Sequence, residues 1–191
     1  VRRFLEKEKE FVVNLRNEGG EAIVSYLEKP LAGRIEIGLG DKVLDVNMKG
    51  FVDRIDKIGE EWRIIDYKSG SVSPSGLKFE DWNDLKGDSD MAKIVQLYTY
   101  AYLFRHSRNE KSVKIRAGII SLKKLNEGFM QVPSLSSSEK NDTLIQEEDF
   151  VAFEKTVKEI LEEIFDFTKP FSQTEDVKRC EYCDFINLCD R

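Results

Sequence analysis

Two acids and a lysine stand where strand-like segments would otherwise carry apolar or neutral residues. In GFVDRID (residues 50–56) the acid is Asp53, and in WRIIDYKSG (residues 62–70) Asp66 precedes Lys68 by two positions. Side chains two apart on a strand leave the same face, so Asp66 and Lys68 share one. The intervening KIGEEW offers a two-residue turn at Gly59 and Glu60, with the glycine free to take positive φ. A hairpin closed there pairs Ile58 with Glu61 and Lys57 with Trp62, and the same register sets Asp53 opposite Asp66. Facing carboxylates repel and weaken a sheet unless something positive lies between them. Hard carboxylate oxygens suit Mg²⁺ or Mn²⁺, and a neighbouring lysine can steady a water nucleophile or charge building on a phosphate. A solvated ion-pair network is the ordinary explanation for any one of these residues. Three of them on one patch of apolar strand argue against it.

Several elements must position this patch. Residues 2–16 read as a helix with Phe4, Leu5, Phe11, Val12 and Leu15 on one side. Residues 22–29 and 33–39 read as strands joined by a turn at Pro30 and Leu31. Residues 42–56 alternate, with Leu44, Val46, Met48, Gly50 and Val52 on one face, and residues 61–68 form the next strand. The Gly-, Ser- and Pro-containing stretch 69–88 is a long loop, a feature more often functional than idle. Residues 90–106 form a helix with Met91, Ile94, Val95, Tyr98, Ala101 and Tyr102 at helical spacing. A core strand (113–124), a polar loop (134–142) and an amphipathic helix (147–167), stopped by Pro170, complete the pattern. Helices flanking a strand-rich centre make an α/β class with a mixed central sheet.

The motif set GFVDRID…WRIIDYKSG resembles the PD-(D/E)xK nuclease core in its RecB/AddB-type form, whose fold is restriction-endonuclease-like. The resemblance implies that Asp53 and Asp66 bind metal, together with the backbone carbonyl of Tyr67, and that Lys68 is catalytic. QLYTY (residues 96–100) is similar to the Q-x-x-x-Y motif of that family, which makes Gln96 and Tyr100 site residues on one helical face. Cys180, Cys183 and Cys189 form C-x2-C-x5-C, which resembles the C-terminal part of the [4Fe–4S] clasp in AddB-type nucleases; soft thiolates suit iron–sulfur or zinc. The fourth cysteine of such a clasp lies far upstream and is not among the three in this sequence. The family's upstream metal-binding histidine is also unmatched: His106 lies downstream, and Glu28 is the candidate substitute. The resemblance implies a divalent-metal-dependent DNA nuclease domain, an (exo)deoxyribonuclease whose exo or endo action the sequence leaves open, partnered by DNA and by a helicase domain or subunit in double-strand break repair. The alternative is a catalytically inactive DNA-binding or scaffolding module of the same fold, from which an acid or the lysine would be expected to be lost. All three are present.

The bulk properties bound these readings. At 191 residues the chain suits one domain with a proper core, residues 1–172, and a cysteine-containing tail, residues 173–191. The opening at Val1, inside an amphipathic pattern, leads us to expect an N-terminally truncated piece of a larger protein. A net charge of −6 and a pI near 5.1 argue against a broad basic nucleic-acid surface, though not against an enzyme meeting phosphates through metal ions and a few lysines. A single histidine leaves little room for a serine or cysteine hydrolase triad. Three tail cysteines cannot by themselves close a four-ligand zinc site. They are not a secreted disulfide framework either, which points to the cytoplasm. No apolar run approaches a membrane span, and the charged first residues do not read as a signal peptide.

Overall fold

The computed structural model describes the chain except residues 88–90, 109–112, 140, 171, 182 and 190–191, and describes 178–179 by backbone only. Asp88, Asp90, Lys140, Tyr182, Asp190 and Arg191, which fall within predicted elements, therefore lie outside the described residues. Helix α1 (Arg2–Asn17) leads into strands β1 (Ala22–Leu39), β2 (Lys42–Ile58) and β3 (Glu61–Lys68). Helix α2 (Ala92–Arg108), β4 (Lys114–Ser121), β5 (Phe129–Gln131) and α3 (Glu147–Ile164) follow. The sheet runs β1-β2-β3-β4-β5, antiparallel throughout except for the parallel pair β3–β4, which α2 connects. This is the mixed sheet flanked by helices that the pattern predicts, in the restriction-endonuclease-like form that the resemblance implies.

The sheet separates two cores. Val52, Ile55, Ile64 and Ile119 pack with α2 residues Ile94, Leu97 and Tyr98 and α3 residues Phe150 and Phe153. Ile65, Ile120 and Leu125 form the smaller cluster with Phe4 of α1. Helix α2 is buried on nearly all sides, including Tyr100, Ala101, Tyr102, Leu103 and Phe104, because it lies between the sheet and α3. Helix α1 has no fully buried residue. Phe4, Phe11 and Leu15 of its predicted apolar side are half-buried, whereas Leu5 and Val12 face solvent.

Two expectations need correction. Residues 22–39 are one strand, not two joined by a turn: Pro30 pairs with Phe51 and Leu31 with Gly50 without interruption. β1 is an edge strand, where a proline's missing N–H costs no ladder bond. The irregularities lie earlier, in a bulge between Val24 and Tyr26 and a positive φ of 45° at Glu28. The stretch 69–88 also holds two short 3-10 helices, Pro74–Leu77 and Trp82–Lys86, whose Leu77 and Leu85 are buried.

Candidate active site

The Gly59 turn forms as its residue type demands, with φ 57°, and the β2–β3 ladder starts at Ile58↔Glu61 and Lys57↔Trp62. It ends at Arg54↔Ile65, one step short of Asp53 and Asp66. The acids therefore sit where the two strands part. Asp53 Oδ2 instead accepts the Tyr67 backbone N–H at 2.7 Å, tying the strands together through a side chain. The alternation of β2 also breaks there: Val52 and Ile55, three apart, both enter the α2-side core.

On β3, Ile64, Asp66 and Lys68 share one face, and α2 lies over it. Lys68 Nζ lies 2.8 Å from Asp66 Oδ2 and donates to Gln96 Oε1 at 2.8 Å. Gln96 Nε2 in turn donates to the Tyr100 hydroxyl at 2.7 Å. One helical turn of α2 thus orients the lysine that β3 supplies. The Lys68–Asp66 contact is electrostatic rather than a directed hydrogen bond, so Asp66 Oδ2 is buried without a well-aligned donor. Burial raises the Asp66 pKa; Lys68 pulls it back, and the Asp53 charge pushes it up again.

This arrangement fits a hard divalent cation. It offers an under-satisfied buried carboxylate oxygen and a second carboxylate close enough to be felt electrostatically. Among the described residues no three His, Cys, Asp or Glu side chains gather closely enough to hold a metal. Cys180 is buried and Cys183 and Cys189 are partly exposed, with no disulfide and without converging as one ligand set. The tail is wound in short turns, with Cys183 N–H bonded to the Cys180 carbonyl and Cys189 N–H to that of Phe185. Exposed His106 bonds to the Tyr102 carbonyl in the last turn of α2, away from the patch. Glu28 faces the Asp53 level of the ladder, between the pairs Leu27↔Arg54 and Lys29↔Val52.

Sequence reasoning missed the opposite face of the same strands. Arg54 donates from Nε to Asp56 at 2.6 Å and from Nη1 to Glu8 of α1 at 2.5 Å and the Tyr67 hydroxyl at 3.1 Å. Burial disfavours its charge, yet these partners together raise its pKa above the ordinary arginine value. The signal was present in DRID, where Arg54 and Asp56 lie two apart and so share a face. Ser121 was likewise missed; its hydroxyl donates to the Gly70 carbonyl and accepts from Val72 N–H, pinning the chain just after Lys68.

A family model, that of the PD-(D/E)XK nuclease superfamily, matches residues 2–190. A solved structure described as the crystal structure of SSO0001 is similar at 19% identity, covering 97% of this chain and 67% of that chain, with a TM-score of 0.38. None of the curated proteins matches the chain.

Proposed function

Because the chain belongs to the PD-(D/E)XK nuclease superfamily, we propose that it is a divalent-metal-dependent deoxyribonuclease with Asp53, Asp66 and Lys68 at its centre. The observation that carries this is the relay Asp66–Lys68–Gln96–Tyr100, which holds an ammonium against a buried carboxylate beside a second acid. Asp53, Asp66 and the Tyr67 carbonyl would hold Mg²⁺ or Mn²⁺. When bound, such an ion lowers the pKa of water and screens phosphate charge. The protein's own part is positioning. Gln96 restrains Lys68 Nζ, and Tyr100 fixes which end of the Gln96 amide faces the lysine. Nζ donates a hydrogen bond to a phosphate oxygen or to the attacking water, where negative charge grows during displacement.

The finer reading follows the RecB/AddB-type motifs: an exonuclease acting on DNA, working with a helicase domain or subunit in double-strand break repair in the cytoplasm. Residues 1–172 are the nuclease unit and 173–191 a tail whose Cys180, Cys183 and Cys189 contribute to a [4Fe–4S] cluster completed by a cysteine elsewhere. The C-x2-C-x5-C spacing supports this part; the three cysteines do not gather as one ligand set in this structure, so cluster loading under anaerobic conditions, which must bring them together, tests it.

Lys68→Ala tests the centre. Cleavage with Mg²⁺ or Mn²⁺ should fall by about 10² to 10³, the effect of losing one charge-stabilising donor. Calorimetric Mn²⁺ binding should stay close to wild type, since Lys68 is not a ligand. Cleavage at the wild-type rate would refute the assignment. Sound DNA binding without cleavage by either protein would favour the inactive module.

A further inference from the structure

On the α1 side of the sheet, away from Lys68 and Gln96, lies a cavity of about 310 Å³. Phe4, Phe11, Ile120, Leu125 and Phe129 make its walls apolar, and Arg63 lines it as well. Arg63 comes from β3, only 7% exposed, and its guanidinium is sandwiched between the rings of Phe11 and Phe129, 4.4 and 4.5 Å from their centroids. The ring faces supply a cation–π contact but accept no in-plane hydrogen bond. Arg63 Nε and Nη1 are buried and have no acceptor.

Two acids stand near it, and neither hydrogen-bonds it. Asp56, the cross-strand partner of Arg63, gives Oδ1 to Arg54 and leaves Oδ2 buried without a hydrogen bond, while Glu8, which also lines the cavity, gives Oε2 to Arg54. The cavity's other cations are paired too, Lys7 with Glu10 and Arg116 with Glu61. Burial holds the Arg63 pKa below the usual arginine value despite Asp56 and Glu8, so its charge is under-compensated where it sits. Buried arginines are ordinarily matched by acceptors, and this one is matched on its faces only. The volume is at the small end of the range for ligand sites, and the apolar walls are joined by Lys7, Glu8, Arg116, Asn126 and Gln131 as well as Arg63, a mix of apolar surface and a few polar groups that such sites commonly have.

We propose that this cavity binds a small organic oxyanion, a carboxylate or phosphate on an apolar body, with Arg63 as the anion-recognising group. The apolar body lies against Phe4, Leu125 and Ile120, and the charged oxygen meets the guanidinium edge between the two rings. Helix α1, which has no fully buried residue, supplies the Phe4 and Phe11 wall of the site.

Benzoate, phenyl phosphate and neutral benzamide serve as probes on the whole chain, by calorimetry and by the Arg63 Nε–H NMR signal. One of the two anions should move that signal and bind at least about tenfold more tightly than to Arg63→Met, the scale of a charge-assisted hydrogen bond. The better of the two identifies the headgroup. Benzamide should bind weakly to both proteins. Should Arg63→Met fail to fold, Phe11→Ala on α1 stands in, and removal of one ring wall should weaken the anion several-fold. Equal binding of the anions to wild type and variant, or an unmoved Arg63 signal at millimolar probe, overturns the proposal.

Discussion

Asp66 is a conflicted residue. Its side chain is only 6% exposed, one oxygen lacks a directed donor, and burial, with a smaller push from the Asp53 charge, raises its pKa. A partial ion pair with Lys68, itself 30% exposed, offsets some of this cost. Such a position is unfavourable for folding without a cation and favourable for binding one. Asp66→Asn keeps the shape and removes the charge, so the metal-free variant should be more stable than wild type by on the order of 1 kcal/mol. Mn²⁺ at a hundredfold excess over its Kd should stabilise wild type by about 2.7 kcal/mol and the variant by far less. Thermal melts with and without Mn²⁺ measure both effects. An equal metal-induced shift in the two proteins would place the ion elsewhere.

At the scale of elements, glycines decide how closely neighbours approach. A Cβ at Gly50 on β2 would fall 2.7 Å from Cε1 of Tyr100, and one at Gly118 on β4 would fall 2.2 Å from the Met130 backbone oxygen. A side-chain ring can turn away, whereas a strand backbone cannot without breaking the β4–β5 pairing. Gly118→Ala should therefore cost more stability than Gly50→Ala, with the latter in the 1–3 kcal/mol range of overpacking. Gly50→Ala should also depress cleavage beyond its stability loss, because displacing Tyr100 releases Gln96 and then Lys68. Urea unfolding and cleavage rates on the two variants decide this; a larger stability loss at Gly50 contradicts the ranking. Elements were legible where the period was long, as in the strand 61–68 and the two long helices after it. β5 escaped notice because three residues cannot show a period, though Gly118 within a strand was a sign that another backbone lay close. The turn read at Pro30 failed because local propensity does not say which strand is an edge.

In the whole molecule, the sheet is a partition with different bonding on its two sides. The α2–α3 side is an apolar core that orients Lys68, while α1 is held chiefly by rings and charges: Phe4 on Tyr67, Phe11 on Arg63, and Glu8 on Arg54. The Asp66–Lys68 contact was legible because strand period is a local rule. The direct pairing of Asp53 with Asp66 read from the hairpin register failed, because the ladder ends at Arg54↔Ile65 and Asp53 turns to the Tyr67 backbone. The Glu8–Arg54 link was not legible, since it joins residues 46 apart and depends on where α1 lands. That link connects α1 to the strands bearing the acids, because Arg54 follows Asp53 and also holds the Tyr67 hydroxyl. Glu8→Ala leaves Arg54 with Asp56 and Tyr67 alone. Breaking a fully buried pair costs about 3–5 kcal/mol; with Glu8 21% and Arg54 11% exposed, the loss here should be nearer 1–3 kcal/mol. Much of that gap should persist at 1 M salt, where exposed pairs are screened. Amide exchange along α1 should quicken more than along α2, as the helix loses its ionic anchor while the apolar core stays intact. Cleavage should fall far less than in Lys68→Ala, because Asp53 keeps its bond to the Tyr67 backbone. If α1 exchanges no faster in Glu8→Ala than in wild type, the aromatic contacts alone hold the helix and the ionic link is incidental.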